Sequence, residues 1–149
     1  MAAGRAGGLA TLGDDGAPWA SLVAYAALDD GRPVLFVSRL AEHGRNLARE
    51  PRASLVVAAE PAGDDALDAA RVTLAGVAER PAGDLAAAAL ARYVTAVPGA
   101  RAYAGFDDFT LWVLRVERVR WVGGLGRMAA VDAAAYARAA PSPPARPAG

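Results

Sequence analysis

Two tight turns fix most of what this chain can become. Gly13-Asp14-Asp15-Gly16 separates the apolar runs Gly8–Leu12 and Trp19–Leu28, and Asp29-Asp30-Gly31 separates the second run from Val34–Val37. Gly and Asp tolerate the positive φ of hairpin turns. Connections this short leave no room for a crossover helix, so the joined runs pair antiparallel. Trp19–Leu28 is apolar on both faces, the pattern of a strand near the centre of a barrel or packed sheet.

The rest of the chain alternates strands with two main helices. Val34–Val37 passes through the polar turn Ser38-Arg39 into a helix expected from about Leu40 to Arg49 and stopped by Pro51. Ala53–Ala59 returns as a strand, Glu60–Ala70 is an acidic loop, and Arg71–Ala78 is a strand. Asp84 is expected to cap a helix from Leu85 to about Val97, ended by Pro98. The longest strand is Phe109–Val116, continuing past a break near Glu117 through Val119–Val122. Gly123-Gly124-Leu125-Gly126 is a flexible turn, and Asp132 caps a last short helix to about Arg138. Five or six strands without βαβ repeats predict a mainly β domain over 8–138, a small antiparallel barrel with flanking helices. Residues 1–7 and the Pro-rich tail 139–149 are expected to be disordered by composition.

Composition excludes several functions. Sixteen cations balance sixteen anions, so nothing predicts a general attraction to nucleic acid or to an anionic membrane. Every cation is arginine, and lysine, isoleucine, glutamine and cysteine are absent, a bias that points to a GC-rich genome. Without cysteine there is no disulfide, thiolate nucleophile or zinc-thiolate site. One histidine excludes a multi-histidine metal site within one protomer. Met1–Gly8 lacks the apolar core of a signal peptide, and no apolar run reaches membrane-spanning length. A cytoplasmic protein is the expectation.

The stretch Val34–Pro51 carries the candidate chemistry. A strand that feeds a polar turn and a helix start presents free N–H groups and the positive end of the helix dipole, a seat for an anion. Leu40, His43 and Leu47 fall at i, i+3 and i+7, placing the only histidine on the apolar stripe, while Arg45, Asn46 and Arg49 occupy other faces. His43 reads either as a ligand to an anion or iron, or as a structural histidine bonded to a backbone carbonyl. Arg39 reads as a phosphate contact at the turn; Arg45 and Asn46 read as a phosphate clamp or as a solvated helix face, with Asn46 favoured as a structural amide bonded to the neighbouring backbone. Asp107-Asp108 reads as a turn and cap, since neighbours on a strand face opposite ways. Trp112 and Trp121 read as core or interface packing. Arg118 and Arg120 share one face of their strand, either as solvated edge arginines or as partners of an anionic ligand on a partner protomer.

Taken in order, GLATL, DGAPWASLVAYA, SRLAEHGRNLAREPRASLVV, RVTLAG and FTLWVLRVERVRWVGGLG resemble the pyridoxamine 5′-phosphate oxidase-like proteins of the FMN-binding split-barrel fold. Within them, SRLAEHGRNLAREPRASL is similar to the SxLAxHTxNLxxDPRxSL run of the haem-utilisation (HugZ-type) branch, with Gly44 in place of the threonine. The resemblance implies a split β-barrel homodimer with FMN at the interface. It implies cofactor-binding residues on the strand Ser21, Leu22, Val23 and Ala24, and on the turn-helix Ser38, Arg39, Leu40, His43, Arg45 and Asn46. Arg71 falls where the oxidases have a flavin-contacting glutamine, with a surface ion pair to Asp64, Asp65 or Asp68 as its other reading. Ser21 and the Glu42-His43 pair stand where the oxidases place phosphate-binding arginine and arginine–lysine, and their substrate-binding C-terminal segment is not recognisable after Gly126. The implied function is a flavin-dependent oxidoreductase other than pyridoxamine phosphate oxidase, with no catalytic residue assigned. The alternative is haem binding or haem degradation with His43 as the iron ligand, or a non-catalytic flavin- or haem-binding protein.

Overall fold

The computed structural model describes residues 6–61, 63–124 and 126–139. Eight strands form one antiparallel sheet: β1 (Ala6–Leu12), β2 (Pro18–Ala24), β3 (Ala26–Ala27), β4 (Pro33–Ser38), β5 (Arg52–Ala58), β6 (Ala70–Glu79), β7 (Phe109–Gly123) and β8 (Met128–Val131). Three helices flank it: α1 (Glu42–Arg49), α2 (Gly83–Ala96) and α3 (Ala133–Arg138). The hydrogen-bonded order is β2-β1-β5-β6-β7-β4-β3, with β8 added to β7.

The ends of that order are joined by the chain itself. Tyr25 alone separates β2 from β3, yet β2 pairs with β1 and β3 with β4. The run Trp19–Leu28 is therefore not one central strand. It is two edge strands that bring the sheet's ends together and leave a split barrel. Its apolar character on both faces has a different cause from the one expected: Val23 is buried inside, on the side of β2 that also carries Trp19 (50% exposed) at the strand's open end, whereas Leu22 (81%) stands on the outer face, uncovered among the described residues. The strand buried on both faces is β4. Leu35 and Val37 face the barrel core with Leu9, Leu55 and Leu114, while Val34 and Phe36 face Ala89 and Tyr93 of α2. Fully burying each such aliphatic side chain stabilises the fold by about 1.5–3 kcal/mol.

The turns form as expected, with Gly16 and Gly31 at φ 77° and 82°. The break at Glu117 is a β-bulge: Val116 pairs with Gly76 and Arg118 with Ala75, which leaves Glu117 as the extra residue. Gly76 is required there, because a methyl group would overlap the Arg115 carbonyl.

Other boundaries differ from expectation for identifiable reasons. β1 begins at Ala6 rather than Gly8, since Ala6 and Gly7 pair with Ala24 and Val23. Asp84 lies in the first turn of α2, favourable to its dipole, and the N-cap is Ala82 without a side-chain bond. β8 was not expected; it folds back along β7 after the glycine turn. Asp132 caps α3 through the Ala134 and Ala135 N–H groups, and the Tyr136 hydroxyl donates to the Gly31 carbonyl at 2.7 Å. The disorder expected at the chain's extremes falls, for 1–5 and 140–149, outside the described residues. Among the described residues no helix is long and apolar enough to cross a membrane.

Candidate functional site

The site forms where β2 and β4 meet at the split, under the N-terminal end of α1. Its shape begins with Ser38. The Ser38 hydroxyl donates to the Asp108 carboxylate at 2.6 Å and accepts from the Leu40 N–H at 3.1 Å. The Arg39 N–H donates to the Asp108 carbonyl at 2.7 Å, and its guanidinium to the Asp107 carbonyl at 3.0 Å. These bonds hold residues 38–41 as a turn, so the helix starts at Glu42 rather than Leu40. Leu40 leaves the apolar stripe and stands 75% exposed at the rim. Asp108, read from sequence as a turn or cap residue, pins the site's turn to the start of β7.

α1 is bolted down along its length. Gly44 lies so close to the Ser38 carbonyl oxygen that a Cβ would overlap it. Asn46 is fully buried; its amide donates to Thr11 Oγ1 at 3.0 Å and accepts from Arg49 at 3.0 Å. Arg49 also reaches the Leu12 carbonyl at 3.3 Å. Asn46 thus positions the helix against β1, with both ends of its amide used within the chain.

A cavity of about 240 Å³ opens at the seam. Of the residues expected from sequence, Leu22, Val23, Ala24, Ser38 and His43 line it. Sequence reasoning missed Phe36, Tyr93 and Phe109, which add an aromatic wall. Phe36 and Phe109 sit 5.3 Å apart, and Tyr103 stacks on Phe109 at 4.5 Å. Phe109 pairs directly with Ser38 across β4 and β7. No local pattern announces that pairing.

His43 is half-buried, and its burial lowers the imidazole pKa below the usual 6.5, so the ring is neutral at neutral pH. Its nitrogens have no hydrogen-bond partner among the described residues, which leaves the structural reading without a carbonyl to bond. No side chain caps the α1 N-terminus.

The other expected residues do not meet in this cavity. Ser21 pairs with Leu9 and is half-buried. Arg45 is held by the Leu40 carbonyl and by the Glu42 carboxylate, the latter at 2.5 Å. Arg71 pairs with Val122 of β7, thirteen residues along that strand from Phe109. Its guanidinium donates to the Leu67 and Ala69 carbonyls at 3.0 and 3.3 Å, not to Asp64, Asp65 or Asp68. Among the described residues no group of three or more His, Asp and Glu side chains could hold a metal ion.

Relatives share this architecture. A haem binding protein from Mycobacterium smegmatis is 57% identical and superposes with a TM-score of 0.87 over 90% of this chain and 55% of its own. The chloroplastic non-canonical haem oxygenase HOZ of Arabidopsis thaliana is 34% identical over 115 residues, 74% of this chain. The chain spans only a third of HOZ's length (33%). The haem storage protein HutZ of Vibrio cholerae, at 23% identity and a TM-score of 0.67, has the same fold. The family profile described as pyridoxamine 5′-phosphate oxidase matches residues 2–123, and to that family this chain belongs.

Proposed function

We propose that this protein binds haem, as a homodimer, with the His43 imidazole as iron ligand. The observation that carries the reading is His43 itself: neutral, without a hydrogen-bond partner among the described residues, and set in an apolar, aromatic-walled cavity beside exposed Leu22 and Leu40. Neutral imidazole is a common haem ligand, and a broad apolar rim suits a macrocycle. The similarity to the haem binding protein of Mycobacterium smegmatis supports the same choice. Bound haem would bring iron whose chemistry depends on its axial ligand and on the polarity around it. Leu22 and the aromatic wall would exclude water, and α1, fixed by Gly44 and Asn46, would orient the imidazole.

At about 240 Å³ the cavity is smaller than pockets that enclose a cofactor-sized ligand, which run to roughly 300–1,000 Å³. A second copy packed over the open rim would complete it. We propose a cytoplasmic location, the expectation read from the sequence.

FMN is the second reading, favoured by the uncapped N-terminus of α1, where a phosphate could lie. The side chains there fit a phosphate poorly. Arg45 is already paired with Glu42, and Ser21 supplies no positive charge. Gel filtration of the purified protein after incubation with hemin or with FMN, followed by visible spectra, separates the two. We expect a retained Soret band that His43→Ala abolishes. Retained flavin bands, with no Soret band from hemin, would instead favour a flavin-dependent oxidoreductase.

A further inference from the structure

The outer face of the sheet carries two cross-strand rows, and each ends in an arginine. One runs Leu22–Gly8–Val56–Thr73–Arg120, the other Ala20–Ala10–Ser54–Ala75–Arg118. Directly paired residues share a face of an antiparallel sheet, so all ten point the same way. Apart from the two ends, the rows are mostly small residues, which makes a shallow platform.

The arginines are unengaged. Neither the Arg118 nor the Arg120 side chain has a hydrogen bond or ion pair among the described residues. Elsewhere on the sheet Arg52 is bound to Glu50, Arg71 to backbone carbonyls, and Arg115, on the same strand, to Glu79 and Glu117. Both free guanidiniums line a groove of about 570 Å³ bounded by the start of α3. The carboxylates nearby are already committed: Glu117 to Arg115 at 2.6 Å, and Asp132 to the cap of α3. A shallower cavity of about 310 Å³ continues the groove along the platform past Ser54. Free adjacent guanidiniums over a flat floor suit a planar ligand with two carboxylates.

This groove has no iron ligand, and the His43 cavity has no free cation lining it. Within one chain they are also too far apart to share a ligand. Leu22, which lines the His43 cavity, is four strand spacings from Arg120, about 19 Å, well beyond the reach from a haem iron to its own propionates. Self-complementary packing of the platform removes the difficulty. A two-fold axis along β5, near Val56, exchanges the row ends and sets the Leu22 edge of one copy against the Arg120 edge of the other.

We propose that Arg118 and Arg120 of one copy form the carboxylate clamp for a haem whose iron is held by His43 of a second copy. The inference rests on the haem reading above and adds the residues that complete the site from across the dimer.

The test uses hemin and hemin dimethyl ester, which lacks free carboxylates, titrated into the full chain and followed at the Soret band. The double variant R118A/R120A is expected to weaken hemin binding at least about tenfold and to leave the ester unaffected, while Arg101→Ala, which removes an exposed arginine outside both cavities, changes neither. Mixed dimers of a His43→Ala chain with an R118A/R120A chain, isolated through two different tags, locate the clamp. They should bind hemin with wild-type affinity at half the wild-type number of sites, because one of their two sites has both halves intact. Mixed dimers with no wild-type site would show a clamp acting within one chain and overturn the proposal. Equal hemin affinity in wild type and R118A/R120A would overturn the arginine assignment while leaving the haem reading in place. A wild-type chain that retains neither hemin nor its ester would sink the haem reading, and this inference with it.

Discussion

His43 and Gly44 show how much one position can decide. Burial without a partner lowers the His43 pKa below 6.5, so the unfolded chain binds this proton more readily than the folded one. Stability therefore rises with pH up to about 6.5 and is flat above it as far as this group contributes. Since His43 is the chain's only histidine, urea midpoints at pH 5.5 and 7.5 should differ in wild type and differ less in His43→Ala. Hemin binding should likewise hold above pH 6.5 and fall as the ring protonates. Gly44 makes an opposite demand on intuition. Alanine in a helix interior ordinarily gains about 1 kcal/mol over glycine, but here its methyl group meets the Ser38 carbonyl. Gly44→Ala should lower stability by about 1–3 kcal/mol, an overpacking cost, read from the urea midpoint. From sequence Gly44 was legible only as the residue in the threonine's place in the SxLAxHT run. The close approach that explains it depends on where α1 docks.

At the scale of elements, local chemistry was readable and distant chemistry was not. The glycine turns at Gly16 and Gly31, the Asp132 cap and the interruption at Glu117 are each set within a few residues, and all were expected. The start of α1 was misplaced because its turn is fixed by Asp108, seventy residues away. β8 was missed because Met128–Val131 is short and alanine-rich, and its strand character comes from pairing with β7. The same distance effect hid Phe36, Tyr93 and Phe109 from the site. Ser38→Ala tests the pin directly. It removes the donor to the Asp108 carboxylate and the acceptor for the Leu40 N–H, and should cost about 1–2 kcal/mol. If the pin also positions His43, hemin affinity should fall in this variant, whereas a purely local role would lower the urea midpoint and leave hemin affinity unchanged.

At the scale of the whole molecule, one sheet face is left uncovered by the helices among the described residues. Leu22, Val56 and Met128 are exposed on it, between small residues and the two free arginines. The sequence carried the apolarity of Trp19–Leu28 clearly, but its meaning was misassigned to a strand interior. An apolar strand face buried inside a barrel and one buried against a second copy have the same composition, and only the topology separates them. If two copies meet about an axis near Val56, that residue lies close to its own symmetry mate, and a charge placed there faces a like charge at the centre of the contact. Val56→Arg should then convert a particle of twice 15.2 kDa into one of 15.2 kDa by light scattering. Val56 is 41% exposed within one chain, so the substitution leaves the barrel core intact and the far-ultraviolet circular dichroism unchanged. Hemin retention should be lost together with the dimer, since each site would be left as His43 without a clamp or a clamp without His43. A monomeric Val56→Arg that still holds hemin at wild-type affinity would place the whole site within one chain.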